Sequence, residues 1–593
     1  MTTPIQKPHA FKRPFAFKLA SVAAAVSFPL LAAGQVAPQP VPDAGRVLEN
    51  LRAPVIITPP NATISVEDRT PAKKLAPPTG AGAAAKLAIK GFKVTGLSVP
   101  LKADAGALLG KFIGAERTFD DLEAAADALQ VAIRQEGLFL AQVDVPPQKV
   151  EDGMIELRVL EGRLDSVDLA TLPEGLLVKQ EQIESILARL QPGDLLTVDK
   201  IERVLFLLSD LRGINVSSVV SPGAKPGTAK LGVSIKPGDR FEKNVDFDNY
   251  GSVYTGEYRL SAAVGVNSPL GRGDLFKLTG NVSTTGGVKF IRAAYQSPVG
   301  GSGLKLGAAV SALQYRLGTA AFEPLKASGD AAVVSLFGLY PVVRNRNFNT
   351  FAQVNYDRRN FHDVQTALAI DNRKHSDVVT MGLVGDSRDQ VLSGGVNTFS
   401  LGLTAGSIAL ESPVQLAADQ AATGRKINGS FSKINYGAGR QQLLWSKADN
   451  SADRLVVYVS FQGQAAAKNL DNSEKFSLGG PSGVRGYASG EATGDSGNLL
   501  NWELRKNIIH DAIKGDFVLS AFGDYGRITV NRNPLATDLV NSISLVSHGF
   551  GLAWAVPDSF LLKASIAWRG SYVPVADPNP TRLRAYISLS KTL

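Results

Sequence analysis

The chain has 593 residues, a formal net charge of +9 and no cysteine. With 58 glycines, 32 prolines and 44% apolar residues, it has the composition of a folded chain long enough for several domains, so a disordered protein is excluded. The absence of cysteine excludes disulfides and thiolate metal sites, and the five histidines are scattered without ligand spacing. We therefore expect no metal and no cofactor.

Residues 1–34 are predicted to be a secretory signal peptide. Four basic residues precede an apolar run at residues 19–33, and small residues suited to cleavage follow. A transmembrane anchor is the alternative, but the run has only about 15 residues and a spanning helix needs roughly 20. Loss of the four basic residues takes the net charge from +9 to +5, so the charge balance does not indicate nucleic-acid binding.

The next segment, residues 35–86, is rich in proline and alanine, which is typical of a linker. Within it, DAGRVLENL at residues 43–51 could form a short helix. The sequence leaves two interpretations open. This stretch is part of a flexible tether, or it is a helix with a role of its own.

Two copies of one small α/β unit follow, at residues 87–163 and 164–238. Each copy shows the order strand, helix, helix, strand, strand. In the first copy, residues 119–135 predict an amphipathic helix with Thr118 as its N-cap, and residues 138–145 predict the strand after it.

From residue 239 to the end, period-two alternation replaces helical periodicity. A soluble sandwich also alternates, but sixteen alternating segments, an even number, are what bacterial transmembrane barrels require. No stretch after residue 34 holds 18 consecutive apolar residues, so an exported chain could sit in a membrane only as a closed barrel. The predicted fold class is a transmembrane antiparallel β-barrel of 16 strands, residues 239–593, preceded by two small α/β domains. The segments start near residues 241, 256, 274, 289, 303, 332, 348, 377, 396, 430, 453, 497, 515, 545, 560 and 584.

Connection lengths alternate along this region. Those after odd-numbered segments are long and those after even-numbered segments are mostly tight, so one rim carries long loops and the other carries short turns. This pattern places the α/β units on the periplasmic, short-turn side. The predicted long connections are residues 315–329, 361–374, 408–428, 465–496 and 525–543.

Four stretches resemble two-partner secretion outer-membrane transporters, the hemolysin-activator and filamentous-hemagglutinin-transporter class. VDVPPQKVEDGMIELRVLEG at residues 143–162 resembles the signature of the first POTRA domain of that family. DNYGSVYTGEYRLSAAV (248–264), VRGY (484–487) and FGDYG (522–526) resemble its first barrel hairpin, its lid-loop motif and a barrel-strand motif. The chain ends in Leu593, where the family usually ends in phenylalanine. The POTRA motif residues are Pro147, Gln148, Asp152, Gly153, Glu161 and Gly162.

The resemblance implies that two POTRA domains recognise one large, β-rich partner and that the barrel exports it without ATP. It also implies a plug, for which residues 43–51 are the candidate, and a lid at residues 465–496 that folds into the lumen. Alternation places Phe522 and Asp524 on the inner wall, so we expect Arg485 of the lid to pair with Asp524. The lid-loop motif residues are Val484, Arg485, Gly486 and Tyr487.

The implied partners are a large secreted β-helical protein of adhesin, hemolysin or toxin type, outer-membrane lipid, and the barrel-assembly machinery during biogenesis. We expect a monomer in the bacterial outer membrane, with its POTRA domains in the periplasm and no nucleic-acid ligand.

Three other functions fit less of the sequence. GDSGN at residues 494–498 is similar to a serine-protease nucleophile motif, but only His510 lies close behind it and no upstream histidine has a matching context, so we expect no enzyme. A diffusion porin needs neither POTRA domains nor a lid that carries an arginine. A barrel-assembly insertase usually has more POTRA units.

Overall fold

The computed structural model describes residues 42–49, 51, 63–66, 86–319, 322–447, 452–508, 514–575, 577 and 580–593. The predicted signal peptide and most of the predicted linker lie outside these residues. Within the described part of the chain, no helix is long and apolar enough to cross a membrane.

The first α/β unit packs two helices against a small sheet. Its longer helix begins after Thr118, whose hydroxyl accepts the Asp121 N–H at 3.3 Å while the Asp121 carboxylate accepts the Thr118 N–H at 2.8 Å. Leu129 and Ile133 on this helix are fully buried in the core. The elements from the start of the described chain are α1 (Ala44–Glu49), β1 (Thr63–Val66), β2 (Leu87–Ile89), β3 (Gly91–Thr95), α2 (Ala105–Gly110), β4 (Gly114–Arg117), α3 (Phe119–Gln135), β5 (Gln142–Asp144) and β6 (Met154–Leu160).

The strand predicted at residues 138–145 is shorter in the structure, where β5 covers only Gln142–Asp144. Leu138 is buried in the core of the first unit, whereas Phe139 and Leu140 pack against the core of the second. These apolar residues pack between two domains instead of alternating across one sheet. The apolar pattern therefore predicted a strand longer than the one observed.

The second unit repeats the arrangement, and one strand from the N-terminal segment joins it. The sheet order is β1-β8-β9-β7, and β1 lies parallel to β8 at the sheet edge. The elements of this unit are β7 (Arg163–Leu169), α4 (Gln180–Leu187), α5 (Val198–Ser209), β8 (Ile214–Pro222) and β9 (Thr228–Pro237).

The rest of the chain forms a closed antiparallel barrel of sixteen strands, as the sequence predicted. The seam pairs the first strand with the last, from Asn244 opposite Thr592 to Asp248 opposite Ser588. Two short strands, β21 and β22, pair only with each other. The strands of this region are β10 (Phe241–Asp248), β11 (Arg259–Asn267), β12 (Leu275–Ser283), β13 (Val288–Val299), β14 (Leu304–Arg316), β15 (Ala327–Arg344), β16 (Phe348–Gln365), β17 (Ile370–Asp389), β18 (Gly395–Leu410), β19 (Gly429–Ser446), β20 (Arg454–Ala466), β21 (Phe476–Ser477), β22 (Thr493–Gly494), β23 (Ser496–Ile508), β24 (Asp516–Thr529), β25 (Ser542–Val556), β26 (Phe560–Arg569) and β27 (Leu583–Thr592).

The barrel exposes apolar side chains and buries charged ones, the reverse of a soluble protein. Met381 and Phe550 on the outer face are 59% and 63% exposed, whereas Arg359 and Asp524 on the inner face are each 3% exposed. Such a surface is stable only where lipid surrounds it.

Long and short connections alternate as predicted, with two exceptions. Only residues 284–287 connect β12 to β13, which is a short connection on the long-loop rim. The expected loop at residues 361–374 is mostly strand, because β16 continues to Gln365 and β17 starts at Ile370. Polar pairs such as His362 with Asp371, 3.1 Å apart, continue the strand pairing past the apolar zone, so loss of apolar alternation did not mark the end of the strands.

Two other long loops touch each other. Arg425, which follows helix α6 (Pro413–Gln420) in the sequence, binds Asp538 in the loop between β24 and β25. This contact lowers the pKa of the Asp538 carboxyl to about 2.

The second α/β unit docks on the short-turn rim of the barrel. Asp210 at the end of α5 accepts two hydrogen bonds from Arg344 at the end of β15, at 2.6 and 3.1 Å. Arg344 is 2% exposed. The Lys179 N–H donates to the Gly271 carbonyl in the turn between β11 and β12 at 2.8 Å. The unit therefore contacts the rim from the turn between β11 and β12 to the end of β15.

Replacing Arg344 with methionine tests this docking. The change leaves Asp210 without its guanidinium, and we expect local separation of the unit from the barrel to become easier by about 3 kcal/mol, the lower end of the cost of breaking a buried pair. The Lys179 amide should then exchange its hydrogen roughly 100-fold faster. Arg212→Met is the matched control, because Arg212 binds Glu242 across the same interface in a solvent-exposed pair. Equal exchange rates in both variants would contradict the assignment.

Candidate functional site

The connection from β20 to β23, residues 467–495, folds back into the barrel and is called the lid below. The short hairpin of β21 and β22 lies at its base. Lid residues Leu478 and Val484 are fully buried against Leu499 and Leu545 of the barrel wall. The lid is therefore packed inside the lumen and does not extend into solvent.

At the tip of the lid, Arg485 is bound to the barrel wall. Its Nη2 and Nε atoms donate to the two carboxylate oxygens of Asp524 at 2.7 and 3.0 Å, and its backbone N–H donates to Oδ2 at 3.0 Å. The side chain of Asp524 is completely buried. This two-point geometry gives a charge-assisted contact that fixes both position and orientation.

The surroundings of Asp524 complete the contact. Asn501 and Ser547 donate to its carboxylate, each at 2.8 Å, so both oxygens are fully used. The Arg485 guanidinium lies 3.4 Å from the centre of the Phe522 ring, a cation–π contact. Glu503 on β23 accepts a further hydrogen bond from Arg485 at 2.5 Å. Glu503 was not among the predicted site residues, although alternation along β23 (Ser496–Ile508) places it on the same inner face as Asn501.

The other lid-loop motif residues explain how the loop reaches the wall. A Cβ atom at Gly486 would lie 2.8 Å from Arg569 Cα and from Ser547 Cβ, so only glycine permits this approach. Tyr487 is 1% exposed, and its carbonyl accepts the Tyr586 hydroxyl of β27 at 2.7 Å. The motif thus holds the lid on both sides of Arg485.

Helix α1 lies in the lumen beside the lid. At the start of the helix, the Ala44 N–H donates to the Asp363 carboxylate at 2.8 Å. Ala44 and Val47 are buried among inward-facing barrel residues that include Leu313. Lys374 of β17 binds Asp43, just before the helix, at 2.7 Å. Residues 43–51 therefore include a short helix that occupies part of the pore.

The lid packs directly on this helix. A Cβ atom at Gly45 would lie 2.6 Å from the Cβ of Ser473 and 3.1 Å from its Cα. Lys374 also binds lid residue Asp471 at 2.8 Å. Arg46 donates to the carbonyl of Gly490 in the lid. Helix and lid are therefore in direct contact with each other inside the barrel.

The POTRA motif residues lie far from the lid and shape the first α/β unit. Gln148 follows the exposed Pro147. Its side chain donates to the Glu156 carbonyl at 2.9 Å and accepts the Glu156 N–H at 2.7 Å, so it forms the hydrogen bonds that a neighbouring strand would form with β6. Asp152 and Gly153 have positive φ values of 53° and 73° and form the tight turn before β6.

The last two POTRA motif residues form the junction between the units. Glu161, 5% exposed, accepts the Ser98 hydroxyl at 2.7 Å and binds Arg163 at 2.9 Å. Gly162 has φ 83°, and a Cβ there would lie 2.6 Å from Leu140 Cβ. All these contacts are internal to the protein.

The stretch that is similar to a protease motif has an ionic contact within the lid and a hydrogen bond to the barrel. Asp495 is fully buried and binds Lys475 at 2.6 Å, and the Ser496 hydroxyl accepts the Ala466 N–H at 3.0 Å. His510 lies outside the described residues. Asp495 and Ser496 thus tie the base of the lid to the end of β20.

Comparisons with known proteins agree with this architecture. Residues 227–553 match the family model described as haemolysin secretion/activation protein ShlB/FhaC/HecB, and residues 87–162 match a POTRA domain of ShlB type. The Heme/hemopexin transporter protein HuxB of Haemophilus influenzae (strain 86-028NP) is 28% identical over 462 residues, which are 78% of this chain and 79% of that protein.

Two further matches are more distant in sequence. The outer membrane transporter CdiB of Dickeya dadantii (strain 3937) is 24% identical over 382 residues, 62% of this chain and 64% of that protein. The solved structure of CdiB from Escherichia coli has a TM-score of 0.67 at 20% identity and covers 88% of this chain and 93% of that chain. At this identity the structure shows a common fold.

Gly45→Ala tests whether α1 blocks the pore. Alanine favours a helix over glycine by about 1 kcal/mol, but its methyl group would collide with Ser473, so the helix must leave its seat. We expect a higher resting conductance of the purified protein in planar bilayers. Gly110→Ala in α2 is the matched control, because a Cβ there meets nothing within 4 Å. Conductance that rises equally in both variants, or in neither, would contradict a blocking role.

Proposed function

The chain belongs to the haemolysin secretion/activation family, and from this membership and the geometry of its lumen we propose how it exports its partner. It is an outer-membrane transporter of two-partner secretion, a β-barrel preceded by POTRA domains in the periplasm. The observation that carries the proposal is the buried contact between Arg485 and Asp524, which holds the lid across the pore.

We propose that this contact is a lock that opens only when a partner enters. A buried arginine cannot leave its carboxylate for an apolar surrounding, because an unpaired buried charge costs roughly 3–5 kcal/mol. It can leave for water or for polar groups of a chain in transit. The entering partner therefore replaces the lid, and α1 is displaced with it.

Selection begins at the second α/β unit. The chain's own β1 runs parallel to β8, from Thr63 opposite Ser217 to Val66 opposite Val220. This pairing supports the proposal that the β8 edge binds an extended strand through main-chain hydrogen bonds. An extended segment of the partner takes the place of β1 and is thereby held beneath the barrel opening.

The partner is a large secreted protein, and we propose a β-helical chain of the adhesin, hemolysin, heme-binding or toxin type. Among the relatives, the names of HuxB and of the Proteus mirabilis hemolysin transporter HpmB refer to heme/hemopexin and to hemolysin. The partner crosses as a hairpin through the polar lumen, and its folding outside supplies direction without ATP. The protein encoded beside this gene is the candidate to test.

The lock predicts an ordered set of effects. Glu503→Gln alone keeps the two-point contact with Asp524, so we expect a small effect. Asp524→Asn weakens the contact strongly. The double variant Glu503→Gln with Asp524→Asn should match Arg485→Ala, with raised conductance and reduced secretion of the partner into the medium. Asp330→Asn, an exposed carboxylate on β15, is the control for loss of charge. Normal secretion by Arg485→Ala would show that the contact is not a lock.

Strand capture can be tested because the chain has no cysteine. Thr63→Cys with Ser217→Cys places two thiols at facing positions of a parallel strand pair, about 4.8 Å apart at Cα, which suits a disulfide. We expect secretion of the partner to stop when β1 is tethered and to resume when the bond is reduced. The two single variants are the controls. Secretion that continues with the disulfide formed would rule out exchange at this edge.

A further inference from the structure

The lid is attached to the wall at a second place, remote from Arg485. The 3-10 turn Asn472–Glu474 near its start carries Glu474, which is 2% exposed. Its carboxylate binds Arg359 of β16 at 2.6 Å and Lys433 of β19 at 2.8 Å. This contact uses two cations on one carboxylate.

The ionic groups around Glu474 are buried. Arg359 also binds Asp357 of its own strand at 2.8 Å, and both residues are 3% exposed. Lys433 and Gln464 donate to the backbone carbonyl of Glu474 at 2.7 and 2.9 Å. When Glu474 leaves, Arg359 keeps Asp357, but Lys433 loses both the carboxylate and the carbonyl. Departure of the turn therefore carries an electrostatic cost of its own.

The two attachments lie at different places around the barrel. Arg359 lies on β16 and Lys433 on β19, whereas Asp524 lies on β24, which is six strands from β16 and three from β19. The lid between Glu474 and Arg485 thus crosses the lumen from one wall to another. Freeing Arg485 releases one end of this crossing segment and leaves the other end bound.

The same turn is the seat of the helix in the pore. Gly45 of α1 packs on Ser473, and Lys374 joins Asp43 before the helix to Asp471 before the turn. The contacts that hold the turn against β16 and β19 therefore also fix the surface against which α1 packs.

We propose that Glu474, bound by Arg359 and Lys433, is a second latch of the lid that is released independently of Arg485. Glu474 acts here as a positioning residue, since it fixes the start of the lid and the seat of α1. This inference rests on the proposed role of the lid in closing the pore. It adds that the pore opens fully only when both ends of the lid are free.

Single-channel recording of the purified full-length protein in phosphatidylcholine bilayers tests the latch without any partner. Glu474→Gln keeps the shape of the side chain and removes its charge, and we expect at least 10-fold more frequent openings at an unchanged fully open conductance. With Arg485→Ala added, the two increases should multiply. Glu323→Gln, on an exposed turn of another loop, is the matched control and should behave as the wild type.

The outcomes separate the latch from the lock. If Arg485→Ala raises the opening frequency while Glu474→Gln matches the control, the latch is wrong and the lock stands. If the double variant opens no more often than Arg485→Ala, one lock suffices and the latch is again wrong. If neither variant changes the opening frequency, the lid does not close the pore and the proposed function fails with it.

A chemical probe reports on the turn directly and guards against a folding artefact. Ser473→Cys introduces the only thiol of the chain, at a side chain that is 2% exposed. Its reaction with a soluble maleimide should become at least 10-fold faster when Glu474→Gln is added, and should change little when Arg485→Ala is added. Equal acceleration by both changes would show that the two ends move together and would overturn independence. Heat-dependent gel migration confirms that each barrel is folded.

Discussion

The closed state depends on one constraint: a charge buried in the lumen must have a partner of opposite sign. The barrel wall points Arg359, Lys374, Glu503 and Asp524 inward, where little of their surface is exposed. Each of them therefore needs an ionic contact, and the lid and the segment before α1 supply Arg485, Glu474, Asp471 and Asp43. The path of the lid across the pore brings its charges to these wall charges, because leaving one of them buried and unpaired would cost roughly 3–5 kcal/mol.

The same constraint connects the periplasmic units to the pore. Helix α1 ends at Glu49 and β1 begins at Thr63, so residues 50–62 of the sequence separate the helix in the lumen from the strand at the β8 edge. In the proposed mechanism, α1 and β1 each occupy a place that the exported chain takes. A partner strand that replaces β1 removes one of the two attachments that keep α1 seated, while Lys374 and the lid keep the other. The strand at the recognition edge, β1, and the helix in the lumen, α1, thus belong to one continuous segment of chain, although β1 is held by main-chain hydrogen bonds and α1 by side-chain contacts.

Sequence reasoning recovered the elements that depend on local periodicity. Alternation identified the sixteen strands, and it placed Phe522 and Asp524 on the inner face. It failed where apolar residues serve an interface between domains, as at Phe139 and Leu140, and where polar ladders extend past the membrane, as between His362 and Asp371. It could place Glu503 and Arg359 inward but not say which charges meet. That depends on how far neighbouring strands are staggered and on the route of a long loop, and neither leaves a mark in the period of a single strand.

Ionic closure also suits a pore that must open without an energy source. An apolar lid would gain about 25 cal/mol for each Å² it buries and would lose all of it on moving into water. A buried ion pair differs, because its mutual attraction is largely offset by the hydration that both charges give up on closing. When Arg485 and Asp524 separate into a water-filled lumen, each recovers that hydration. The ionic contacts therefore fix the closed lid in one geometry and add only a small net preference to that of its apolar contacts, such as those of Leu478 and Val484.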